Sequence, residues 1–301
     1  MDILKKTLKH YIDLELYANG VADDIEEMLY ELYKKCNAAV LANDYLKTKK
    51  DYKAVRSVID KYFSEFEEEL FERMKIEAER IKDNELDFLK VLYGSVLTVG
   101  AVSLSKVLFT PFVGNETVES FVSTTVNNIS KAFDNSIRTG YLFGQASEDV
   151  QETIAPQLRK VTSSVKNEVR TAVPSFAKTT DKIVFLNNNK EVVWAATLDG
   201  HTCITCASLS GMRFRSVTEA PSFPHLNCRC VLVLASEVKE PVYSFEEFVE
   251  HLDEEEQKEV LGANRYKLWK TYNTPLNKFL NDGRVISWEE LKNQINTESN
   301  E

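Results

Sequence analysis

Residues 198–235 read LDGHTCITCASLSGMRFRSVTEAPSFPHLNCRCVLVLA, and they hold four of the chain's five cysteines and two of its four histidines. Cys203 and Cys206 form C-x-x-C, the spacing with which two thiolates grip one ion from a tight turn. About twenty residues later His225, Cys228 and Cys230 follow as H-x-x-C-x-C. Five candidate ligands therefore compete for the four positions of a tetrahedral ion. Thiolates and imidazole suit zinc and discriminate against magnesium and calcium. Cys203, Cys206 and Cys228 are the expected core of the set, with either His225 or Cys230 as the fourth ligand. A shell closed by four protein ligands leaves no position for a substrate, so such a Zn2+ is structural and its binding energy becomes folding energy.

Other chemistries use the same residues differently. A redox C-x-x-C of the thioredoxin type sits after a strand and opens a helix in a βαβ unit, and no parallel α/β pattern surrounds this one. Disulfides require an oxidising compartment. A hydrolytic metal site would use His201 or His225 with Asp199 and Asn227 around a water-bearing ion. Cys36, alone on an amphipathic face, reads as a small core residue. His10 and His251 lie on helical segments, and the sequence gives them no role.

The elements that must position this cluster can be read from periodicity. The chain has 301 residues, is 43% hydrophobic and 28% charged, and contains only ten glycines and seven prolines, which suits a largely helical protein with a substantial core. Apolar residues recur at three- and four-residue spacing through residue 90, at Ile25, Met28, Leu29, Leu32 and Tyr33, and at Val55, Val58, Ile59, Tyr62, Phe63, Phe66 and Leu70. The N-terminus has no apolar core of secretory-signal length, so synthesis in the cytoplasm is expected. Residues 91–105 carry no charge but are interrupted by Gly94, Ser95, Gly100, Ser103 and Ser105. They fall short of the roughly 20 residues of a membrane span, and a buried helix or subunit interface is the expectation.

After Pro174 the period changes. Residues 183–186 and 192–196 are β-prone and joined by Asn187, Asn188, Asn189 and Lys190, which predicts a hairpin leading into the cysteines, with a further strand in Val231, Leu232, Val233 and Leu234. So small a β-unit needs a cross-link. In the tail, Ser244 with Glu247, Asp253 with Glu256, and Ser287 with Glu290 have capping-box spacing, Gly262 stands where a helix would stop, and three short helices are expected.

The expected class is α+β, mainly α-helical, with a small zinc-stabilised β-hairpin unit near residues 183–235. Its regions are an N-terminal helical region (1–110), a central helical region (111–182), a β-rich zinc-binding unit (183–236) and a C-terminal helical tail (237–301). The net charge of −10 argues against a general nucleic-acid coat. Residues 150–235 nevertheless hold ten Lys and Arg against six Asp and Glu, and this basic middle suits contact with phosphate.

The combined pattern resembles the phage head morphogenesis family, the Mu F-like minor head or minor capsid proteins. Members show W, then D-x-x-T-C-x-x-C-x-x-L-x-G-x-x-F, then H-P-N-C-R-C. The matching residues are Trp194, Asp199, Thr202, Cys203, Cys206, Leu209, Gly211, Phe214, His225, Asn227, Cys228, Arg229 and Cys230. His201 stands where an arginine is usual and Leu226 where a proline is usual, and neither change removes a ligand. Leu261, Gly262, Arg265 and Tyr266 fit the family's L-G-x-x-R-Y ending, so the resemblance covers roughly residues 120–295.

The resemblance implies a structural protein of a tailed-phage virion rather than an enzyme. Such a protein is made in the host cytoplasm and then lies inside the capsid near the portal, acting in head assembly and in DNA packaging or delivery. Its implied partners are the portal protein, other capsid proteins, further copies of itself and packaged double-stranded DNA. The alternatives are a metal-dependent nuclease or toxin-like enzyme, and an ejected protein whose residues 88–113 enter the host membrane.

Overall fold

The computed structural model describes residues 3–42, 48–197, 202–223, 225–238, 245–281, 284–287 and 289–291. Four long helices dominate: α1 (Ile3–Leu41), α2 (Lys49–Tyr93), α4 (Val118–Phe143) and α5 (Ser147–Asn187), with the short α3 (Leu104–Phe109) between the second and third. Helices of this length are stabilised by the face they bury more than by propensity. α1 buries Ala18, Ala22, Ile25, Leu29, Leu32 and Cys36 at three- and four-residue spacing, and α2 buries Val55, Ile59, Phe63, Phe66, Leu70 and Met74. Thr48 and Asp51 close a capping box at the start of α2, and Thr117 and Ser120 one at the start of α4. α4 stops at Gly144, whose left-handed backbone (φ 62°) is the usual glycine ending.

The chain is α+β and mainly helical, as the sequence predicts. Its larger sheet has three short strands, β1 (Val192–Ala195), β2 (Arg213–Phe214) and β3 (Val231–Leu234), in the antiparallel order β2-β1-β3. Val192 pairs with Leu234 and Ala195 with Val231. All four residues of β1 and of β3 are buried, and α1 and α5 pack against β3. A single cluster of buried apolar side chains runs from Tyr11 through the helices to Ala235. The regions expected at 1–110, 111–182 and 183–236 therefore share one core, and α5 runs straight through the boundary at 182.

The expected hairpin is overturned. Residues 183–186 are the last turns of α5, which continues through both Pro156 and Pro174. Val184 and Phe185 extend the buried face of Val173, Phe176 and Ala177, and the Phe185 ring meets Tyr93 edge-on at 5.9 Å. A short β-branched run is ambiguous by itself, and this packing decides it for helix. The asparagines end the helix instead of joining strands. Asn188 receives the backbone N–H of Thr98 on its side chain and donates to the carbonyls of Thr98 and Val184, and Asn189 takes a left-handed conformation. The partners of β1 come from chain beyond the first two cysteines.

Residues 91–105 finish α2, form one 3₁₀ turn (Gly94–Val96) and pass in extended backbone to α3. Among the described residues no helix is long and apolar enough to cross a membrane.

The tail adds α7 (Phe245–His251), α8 (Glu254–Tyr272) and a small hairpin of β4 (Leu280–Asn281) and β5 (Arg284–Val285) that the periodicity did not predict. The capping boxes at Asp253 and Ser287 form, while Ser244 and Trp288 lie outside the described residues. Gly262 breaks α8 with φ 75°, ψ 152°, so the stop expected there is a kink between two helical pieces. Phe245, Phe248, Val249, Leu261 and Phe279 bury themselves in a second core that includes Ala207.

Candidate metal centre

Each expected ligand is placed by a local feature. Cys203 is the N-cap of α6 (Ile204–Leu209): its backbone is extended and its sulfur receives the N–H of Cys206 at 3.3 Å. Capping brings the two sulfurs of the C-x-x-C to one side of the first turn. On the other arm, Asn227 adopts a left-handed conformation (φ 57°), which asparagine tolerates better than most residues. Its N–H donates to Thr171 Oγ1 on α5 at 2.8 Å, docking the second ligand loop against that helix. Cys228 and Cys230 then stand two residues apart at the foot of β3, so both point to the same face.

The five ligand atoms gather as two overlapping triads, Cys203, Cys206 and His225, and Cys206, Cys228 and Cys230, with atoms in each triad within 4.8 Å of one another. Cys206 belongs to both. A tetrahedral ion with bonds of about 2.3 Å to sulfur and about 2.0 Å to nitrogen spaces its ligand atoms roughly 3.5–3.8 Å apart. Cys206 and Cys228 are 3.6 Å apart, and His225 Nε2 lies 3.1 Å from the Cys203 sulfur and 3.2 Å from that of Cys206. The cluster can hold a metal ion.

Protons bind where an ion would. Hydrogen bonding from Cys206, and then His225, draws the Cys203 thiol down to about 4 despite its partial burial. Cys228 is drawn down by Cys206 and Cys230, whereas Cys206 is pushed up because its thiol proton serves Cys203 and Cys228. Hydrogen bonding to Cys203 pushes His225 up to about 9. A divalent cation bound here would take over this role and release the protons. The contrast is Cys36, where burial pushes the thiol up to about 12 and leaves a plain core residue, as the sequence suggests.

All five cysteines are free. Cys203 does open a helix after a strand, but β1 pairs antiparallel with both β2 and β3, and among the described residues no βαβ unit is formed. Asp199 and His201, on which the hydrolytic reading turns, lie outside the described residues.

Three features went unread in the sequence. Lys178, 5% exposed on α5, donates to the carbonyl of Cys228. Glu85 and Asp181 are buried together between α1, α2 and α5: Tyr11 donates to Asp181 at 2.7 Å, and His10, which the sequence left without a role, bonds Glu85 at 2.7 Å while stacking on Phe88. The basic middle is also partly turned inward, since Lys166 pairs with Asp23 and Glu26 of α1 and Lys178 faces the cysteines. The available signal was charge on an otherwise apolar helical stripe, at Lys178 and Asp181. Comparison with protein-family models, with curated proteins and with solved structures returns no match to this chain.

Proposed function

We propose that the cluster binds one structural Zn2+ through Cys203, Cys206, His225 and Cys228. The observation that carries this reading is the orientation of His225. Its Nδ1 donates to the carbonyl of Leu226 at 2.7 Å, which leaves Nε2 aimed at Cys203 and Cys206, and metal-bound histidines are commonly fixed through the second nitrogen in this way. Cys230, 2% exposed, completes the second triad with Cys206 and Cys228 and is the competitor for the fourth position. His225→Ala should therefore weaken zinc binding by at least tenfold, while Cys230→Ser keeps about one zinc per chain. Competition with a chromophoric chelator checks both, and the reverse order would make Cys230 the fourth ligand.

On this scaffold the chain acts as a structural, non-enzymatic minor head protein of a tailed phage, inside the capsid near the portal. The support is the ordered signature around the zinc ligands, including Asn227 in the left-handed turn that carries Cys228, together with a second apolar core that binds the tail to α6 through Ala207. Portal and capsid subunits, other copies of the chain and packaged DNA are the partners proposed. Deleting the coding sequence from the phage that carries it should give heads that fail to package or deliver DNA, with the protein found by mass spectrometry in wild-type virions. Infectious, normally filled heads without the protein would refute the assignment.

A further inference from the structure

α5 presents Lys178 and Lys182 one turn apart beside the cysteine loops. Neither makes an ion pair with a carboxylate among the described residues. Lys178 is almost completely buried, and a buried ammonium is costly without a counter-charge. Its Nζ lies 4.4 Å from the centre of the Phe223 ring and 5.8 Å from that of Tyr11, and it donates to the Cys228 carbonyl. Lys182, half-buried, sits 4.6 Å from the same Phe223 ring, which in turn packs on Trp194 at 5.2 Å. Phe223 belongs to the loop that delivers His225, so both ammonium groups are held by the structure that carries the ligands.

Charge arithmetic supplies what these lysines lack. A divalent ion bound by three thiolates and a neutral imidazole carries a net charge of −1, and that charge is buried with Cys206 and Cys228. We propose that Lys178 is a positioning residue for the metal centre, neutralising the anionic three-thiolate complex from behind Cys228, with Lys182 as a weaker second charge. The inference rests on the zinc reading above and adds that the centre is tuned for an anionic thiolate complex. Fixing the Cys228 carbonyl, Lys178 also holds the second ligand loop on α5 next to the Thr171 bond to Asn227.

The test is zinc affinity of the full chain by competition with a chromophoric chelator, in wild type, Lys178→Met, Lys182→Met and the exposed control Lys160→Met. Lys178→Met should bind zinc about tenfold or more weakly and Lys182→Met a few-fold more weakly, with Lys160→Met unchanged. Cys203→His, which makes the complex neutral, should shrink the effect of Lys178→Met, because the charge to be balanced is gone. If Lys178→Met does not fold, the Lys182→Met measurement and its loss in Cys203→His carry the same test. A wild-type chain without zinc would sink the metal reading itself. A zinc-bearing wild type whose lysine variants bind within twofold of it, or a lysine effect equal in Cys203→His, would leave the zinc centre standing and overturn the role of Lys178.

Discussion

Cys206→Ser is expected to lose its metal and to melt as a destabilised protein at every pH at which the wild type is metallated. Cys206 is 3% exposed, and its sulfur, the one atom common to both ligand triads, stands 3.2 Å from His225 Nε2 and 3.6 Å from the Cys228 sulfur. A serine oxygen is a poor ligand in a thiolate set and cannot span the same distances. Structural zinc contributes on the order of 10 kcal/mol in isolated zinc-finger peptides. Here the strands already share the helical core, so the expected cost is smaller, roughly 3–5 kcal/mol. The effect should reach beyond the loops, because β3 packs on α5 and the tail's separate core is joined to α6 through Ala207. Elemental analysis with thermal melts before and after chelation measures it: about one zinc per chain in wild type, none in the variant, and similar lowered melts for the variant and the chelated wild type. Equal metal content and equal melting in the two proteins would show that the cluster does not bind zinc through Cys206.

What the sequence disclosed and what it concealed follow from the range of the forces involved. The ligand cluster was legible because metal chemistry fixes residue type and spacing within short segments, as C-x-x-C does at the cap of α6. The long helices were legible because α1 and α2 each bury one periodic face. Capping boxes such as Asp253 with Glu256 are likewise local. The misread hairpin was a non-local decision: Val184 and Phe185 have β-prone neighbours, yet the contact with Tyr93 of α2 and the bonds from Asn188 to Thr98 make the segment helical. Lys178 was hidden for the same reason, since nothing in its own segment reveals that Cys228, fifty residues away, offers its carbonyl. The buried acids are the extreme case, with Glu85 and Asp181 brought together from different helices onto Tyr11 and His10 of a third.

That acid pair should make stability fall as pH rises, opposite to the dependence that the proposed metal centre would impose. Glu85 Oε1 and Asp181 Oδ1 are both buried with no hydrogen-bond donor, an arrangement that two ionised carboxylates could not hold and that a proton on either one relieves. Burial pushes Glu85 up to about 7, and burial together with the Glu85 charge pushes Asp181 well above its ordinary value. Burial also pushes Tyr11 up, so its hydroxyl keeps donating to Asp181, and it lowers His10. For Glu85 the folded value lies above the unfolded one of 4.5, so its contribution is complete below about pH 4.5 and lost as pH climbs through about 7. A shift of about 2.5 units corresponds to roughly 3 kcal/mol. His10 acts the other way, since a lowered imidazole favours folding as pH rises toward 6.5. Glu85→Gln, a neutral mimic of the protonated acid, should therefore match wild type within about 1 kcal/mol at pH 5 and exceed it by about 2–3 kcal/mol at pH 8. The proposed metal centre would lose its ion as acid protonates Cys203, Cys228 and His225, but it would do so in both proteins, and the difference between them at each pH isolates the acid pair. Urea unfolding of the two proteins at pH 5 and 8 reads that difference. A constant difference across this range would mean that Glu85 is ionised throughout and that its neighbours, not a proton, satisfy it.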